Sequence, residues 1–206
     1  MKTLLSFRAP SLPILLVAFS LVGCATVVAE TEVPAWRHVQ NGQTHEVADR
    51  FGSDELAYKV HWDCLPLEET VGAAHSVISG TAYLRACDCA ASDRPVVFLF
   101  NGGPGASSSP LHFALGPHGR DRGTGTFPDN VDTILRAADL VFIDPVETGF
   151  SRAAAPGGSS RFLGVDGDVE AVSAFIHNWM TAHGRDDAPV FVVGQSYGGF
   201  RLANLL

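Results

Sequence analysis

Three short stretches of unbroken apolar residues constrain this chain most: Pro95-Val96-Val97-Phe98-Leu99-Phe100, Leu140-Val141-Phe142-Ile143 and Val190-Phe191-Val192-Val193. A strand with one wet face alternates polar and apolar side chains. A run with no polar residue must be buried on both faces, as in a parallel sheet covered by helices. Between the second and third runs, Val165, Val169, Val172, Phe175, Ile176, Trp179 and Met180 recur at helical spacing. Asp166 is the expected N-cap, Asp168 and Glu170 favour the positive end of the helix dipole, and Gly184 marks the stop. Strand, helix and strand make a βαβ unit, which sets the two strands parallel. Upstream, Leu56 to Trp62 and Val77 to Leu84 read as an antiparallel pair. The expected class is α/β, a mostly parallel sheet with flanking helices.

The chain of 206 residues opens with Lys2 and Arg8 and the apolar run Leu12 to Gly23. That pattern predicts a signal peptide over residues 1–23, too short for a comfortable membrane span. Leu21-Val22-Gly23-Cys24 resembles a bacterial lipobox, which predicts lipidation of Cys24 and a tether over 24–44, with the folded part at 45–206. Ordinary cleavage after Val27-Val28-Ala29 and an uncleaved anchor are the alternatives. The expected location is the periplasm or outer membrane, alternatively secretion, with membrane contact only through the N-terminal lipid or signal. The signal holds 2 of the 14 basic and none of the 22 acidic residues, so the mature balance is −10. So acidic a chain, without a basic cluster, is not built for nucleic acid. Export permits disulfides, and Cys64 with Cys87 or Cys89 is the expected bridge, because both ends lie on predicted neighbouring strands. Cys87 and Cys89 are one residue apart, which does not fit zinc-ligand spacing; no metal and no cofactor are expected.

Gly194-Gln195-Ser196-Tyr197-Gly198 directly follows the third run and fits G-x-S-x-G. A serine there sits on a sharp strand-to-helix turn with its hydroxyl standing clear of the sheet. Side chains two positions before and after would collide, hence the glycines. A helix is expected from Phe200 to Leu206. Asn101-Gly102-Gly103-Pro104-Gly105-Ala106-Ser107-Ser108 follows the first run. In a nucleophile elbow of this kind, one oxyanion-hole amide comes from such a loop and the other from the residue after the nucleophile. Gly103 and Tyr197 are therefore the candidate donors. The loop lacks the lysine of a phosphate-binding loop and the spacing of a dinucleotide site.

Asn101 to Ser108 closely resembles the N-G-G-P-G-x-S-S signature of serine carboxypeptidases. Asp144-Pro145-Val146-Glu147-Thr148-Gly149-Phe150-Ser151 looks like that family's D-x-P-V-G-T-G-F-S segment in its shortened bacterial form. Gly194 to Gly199 resembles its G-E-S-Y-G-G. The resemblance covers about residues 56–206. It implies the α/β-hydrolase fold, a Ser196 acyl-enzyme and a peptide substrate with a free C-terminal carboxylate. Asn101, the Gly102 backbone and the residue before the nucleophile would grip that carboxylate. Proline iminopeptidases share a G-G-P-G loop, but read His before it and D-Q-R-G-x-G-x-S in the middle segment, which is not the pattern here.

The chain departs from the family at several points. Gln195 stands where the family has Glu, Ala114 matches a second family Glu, Leu99 a Trp, and Ala106 a disulfide Cys. The family's Asp and His follow the serine. The ten residues after Ser196 contain neither, and all eight histidines precede it. The expectation is therefore the N-terminal portion of a carboxypeptidase, truncated after the elbow and inactive alone. The rival readings are another acyl-transfer enzyme of this fold (an aminopeptidase or esterase) and a truncated lipoprotein without turnover.

Overall fold

The structure is a computed structural model that describes residues 43–51, 54–67, 76–153 and 158–205. The signal peptide, Cys24 and all but the last two residues of the expected tether lie outside them. Among the described residues seven strands form one sheet: β1 (Gln43–Phe51), β2 (Asp54–Leu67), β3 (Ser76–Arg85), β4 (Val96–Phe100), β5 (Asp139–Asp144), β6 (Arg152–Ala153) and β7 (Val190–Gly194). The order is β1-β2-β3-β5-β4-β7, with β6 beside β3. The three apolar runs are β4, β5 and β7, and they are the parallel strands, β5 and β7 flanking β4. β4 is buried throughout, but β7 does not meet the expectation of burial on both faces: it ends the strand order among the described residues, and its Val190 and Phe191 are exposed.

The remaining pairings are antiparallel, so the parallel part of the sheet is smaller than expected. Leu56 to Trp62 is the middle of a longer strand, β2. β1 begins where the tether was expected to end, and its polar sequence gave no strand signal. Within the described residues, β1 pairs with β2 alone, so its sequence did not have to be apolar.

Among the described residues there are three α-helices: α1 (Ser109–Leu115), α2 (Val165–Ala182) and α3 (Tyr197–Leu205). α2 buries Val172, Phe175, Trp179 and Met180, as its periodicity predicts. Its N-cap is Gly164, not Asp166; the helix starts earlier than expected and Asp166 falls within its first turn. Gly184 follows the helix with φ +62°. α3 begins at Tyr197 rather than Phe200, immediately after the nucleophile. Among the described residues no helix is long and apolar enough to cross a membrane.

The sheet separates two cores. On one face α2 and α3 cover Leu65, Ile78, Phe98, Phe100 and Val141, and Phe98 meets the edge of Trp179 at 5.5 Å. On the other, Leu111 of α1 packs with Leu56, Val97, Leu99, Leu140 and Phe142. The chain thus leaves β4 toward one face and leaves β7 toward the opposite one. Two adjacent parallel strands whose exits diverge open a crevice at their carboxyl ends, where ligands bind in open α/β sheets.

The expected bridge from Cys64 to Cys87 or Cys89 does not form; Cys87 and Cys89 bond to each other. Register explains why. Cys64 lies opposite Ser79, and the chain runs on along β3 to Arg85 before it reaches Cys87. Six residues of strand span about 20 Å, beyond the reach of a disulfide.

Candidate active site

The crevice holds the loop after β4 on one side and the turn after β7 on the other. Ser196 has φ +58°, in the left-handed region that a serine rarely adopts, and it is exposed. A Cβ on Gly194 would overlap the carbonyl of Gly198, so the turn can close this tightly only with glycine. Tyr197 opens α3. Its amide is among the first of the helix, which have no carbonyl within the helix to bond. The Asn101–Ser108 loop presses directly on this turn. A Cβ on Gly102 would lie 2.5 Å from the Tyr197 nitrogen and 2.6 Å from that of Gly198. Gly103, at φ +110°, is exposed beside it. The two amides expected to hold an oxyanion thus belong to segments in backbone contact.

Asn101 is buried and its side chain is fixed at both ends. Its Oδ1 accepts from the Leu111 amide at 3.2 Å, and its Nδ2 donates to Gln195 Oε1. The acceptor oxygen of Gln195 is thereby occupied, and its Nε2 donors remain for a ligand. Asn101, Gly102, Gly103, Gln195, Ser196 and Tyr197, all expected from sequence, are brought together.

A supporting layer lies beneath them. Arg201, 1% exposed, grips Asp168 through two hydrogen bonds of 2.7 and 3.0 Å and donates to the Asn101 carbonyl at 2.8 Å. Asp144, at the end of β5, accepts from the Ser108 amide at 2.8 Å. Burial pushes its carboxyl above the usual value, against the opposing pull of the Ser108 and Phe150 amides. Ser151 donates to the Asp144 carbonyl at 2.6 Å and accepts from the Ser79 amide at 2.8 Å. The Asp144–Ser151 segment therefore ties the oxyanion loop to β3. Within it Glu147 has φ +64°, a second strained non-glycine residue in a motif loop.

Sequence reasoning missed Arg201 and read Asp168 only as a dipole partner. The available signal was a lone arginine flanked by Phe200 and Leu202. A cation in an apolar helix face requires a buried partner.

Three of the described upstream histidines have partners elsewhere. His112 stacks on Phe142 at 3.8 Å and meets the Tyr83 hydroxyl at 3.4 Å. Burial lowers it to about 4 and raises Tyr83 to about 12. His118 meets Tyr58 at 3.0 Å, and His183 meets Asp63 at 3.2 Å. His177 is exposed on α2.

A family model described as serine carboxypeptidase matches residues 83–205. The chain belongs to the serine carboxypeptidase family. Among solved structures, this chain is similar to Kex1Δp, a prohormone-processing carboxypeptidase from Saccharomyces cerevisiae. The TM-score is 0.57 at 23% identity, over 72% of this chain and 33% of that one. The peroxisomal α/β-hydrolase Lpx1 of the same yeast gives a TM-score of 0.45 at 15% identity, over 72% of this chain and 41% of that one. Comparison with curated proteins gave no match. The carboxypeptidase fold seen here is that of an α/β-hydrolase, and the chain spans about a third of the length of Kex1Δp.

Proposed function

We propose that this protein is a serine carboxypeptidase that releases the C-terminal residue of a peptide through an acyl-enzyme on Ser196. The observation that carries this reading is the Asn101–Gln195 amide pair beside the exposed Ser196. A peptide's C-terminal carboxylate needs donors, and Gln195 Nε2 offers them because its oxygen is already bonded. An aminopeptidase would need acceptors or an anion there for a terminal ammonium.

In this reading Ser196 Oγ attacks the last peptide carbonyl as its proton passes to a base. The amides of Gly103 and Tyr197 donate to the resulting oxyanion. The C–N bond then breaks, the amine departs with a proton, and water hydrolyses the ester to regenerate Ser196. The hydrogen bonds of His112, His118 and His183 go to Tyr83, Tyr58 and Asp63, and in this reading the base is a residue other than these three. A peptide with a free carboxylate is the proposed partner, and Cys24 the proposed lipid anchor of the exported protein. Mass spectrometry of the mature N-terminus distinguishes diacylglycerol on Cys24 from cleavage after Ala29.

The test uses the full-length protein and an N-blocked dipeptide. Turnover should fall on the order of a millionfold in Ser196→Ala and should be lost when the substrate carboxylate is amidated. Equal rates on free and amidated substrates would sink the carboxypeptidase reading and leave an esterase or general acyl-transfer enzyme.

A further inference from the structure

On the sheet face covered by α2, away from Ser196, three side chains of metal-ligating type converge. His61 and Asp63 are two apart on β2 and so share one face of the strand. His183 stands just past the end of α2 and reaches down to them. One candidate ligand atom from each lies within 4.8 Å of the other two. β2 is four strand spacings from β7, about 19 Å, so this cluster is no part of the catalytic crevice.

The decisive residue is Asp63. It is fully buried, its Oδ2 accepts from Trp179 Nε1 at 2.9 Å and meets His183 Nε2 at 3.2 Å, and its Oδ1 has no hydrogen-bond partner. Buried carboxylate oxygens are rarely left bare. A simple ion pair between Asp63 and His183 accounts for Oδ2 and leaves Oδ1 unexplained. A cation held between Oδ1 and the two imidazoles accounts for both oxygens.

The geometry points to a binding site for one divalent transition-metal ion, zinc above all, ligated by His61, Asp63 and His183. Two imidazoles and one carboxylate are borderline nitrogen and oxygen donors. They suit zinc, cobalt, nickel or copper, whereas magnesium and calcium take oxygen-rich sets. Zinc ligands sit about 2.0–2.1 Å from the ion, so the three atoms close inward on binding. His61 is half-buried, which leaves room for water in the fourth position. Any proton on a ligating His183 nitrogen leaves as the metal arrives. Trp179 already supplies the outer layer: its indole N–H holds Oδ2 and its ring stacks on His183 at 4.2 Å. Partners of this kind orient ligands in known metal sites.

The test is direct titration of the full protein, stripped with chelator, with zinc alone by calorimetry, and with cobalt for its visible spectrum. One equivalent should bind saturably, with a tetrahedral cobalt spectrum. His61→Ala and His183→Ala should each weaken binding on the order of a hundredfold, since loss of an outer partner alone costs about 10–100-fold. His177→Ala, on the exposed face of α2, should bind as the parent does. Asp63→Asn risks misfolding because Trp179 depends on it; the half-buried His61 supplies the independent variant. Absence of saturable one-to-one uptake, or uptake that either histidine variant leaves unchanged, overturns the proposal. Neither result depends on Ser196 chemistry, so the carboxypeptidase reading stands or falls separately.

Discussion

Gln195 shows how much one atom can decide. A glutamate before the nucleophile must be protonated to donate to a substrate carboxylate, because two ionised carboxylates at bonding distance repel strongly. An amide does not titrate, and the Asn101 bond fixes which end of Gln195 faces outward. In the full-length enzyme, Gln195→Glu should therefore move the optimum to lower pH and raise KM most near neutrality. The parent's low-pH limb should follow only its catalytic base. Superimposable profiles of kcat/KM for the two proteins would show that Gln195 does not touch the carboxylate. The residues of the crevice were legible because their chemistry demands rare backbone geometry, and rare geometry selects glycine at fixed positions. Arg201 was not, and Asp144 and Ser151 were legible only as the ends of a motif, because the partners of all three are set by strand order and not by spacing along the chain.

At the scale of elements, α2 and α3 are held together by the Asp168–Arg201 pair under the crevice. Removing one member of a buried pair leaves the other charged and uncompensated, which costs about 3–5 kcal/mol. Arg201→Leu should lose about that much in chemical denaturation. The double variant with Asp168→Asn should recover a good part of it, because the stranded charge is gone. Equal stabilities of Arg201→Leu and the double variant would mean that Asp168 is solvated well enough to stand alone. The elements themselves were legible where burial imposes a pattern. β4, β5 and α2 each carry the apolar signature of what covers them; β7 carries the same signature, but its Val190 and Phe191 are exposed among the described residues. β1 carries none, and the Cys87–Cys89 bond depends on a register that no local pattern reveals.

For the molecule as a whole, His112 predicts a pH dependence of folding. Its pKa is depressed to about 4 by burial, so the native state holds it neutral while an unfolded chain protonates it below about 6.5. Its contribution is present above pH 6.5 and is lost as pH falls toward 4, up to about 3 kcal/mol. His112→Phe should flatten the stability profile across that window in denaturant titrations. An unchanged profile would assign the acid sensitivity to other groups.

The sheet also joins two kinds of contact. β2 turns back on β3 with Leu67 opposite Ser76, close along the chain, whereas Asn101 meets Gln195 across 94 residues and Arg201 meets Asn101 across 100. Closing long loops is entropically costly and slow, so local pairings form ahead of distant ones. Pulse-labelled hydrogen exchange during refolding should protect β2 and β3 amides before those of α3. The crevice is then the last part of the molecule to exist. The antiparallel strands can form well before Ser196 has anything to face, so acquiring structure and acquiring a nucleophile are separate events in time.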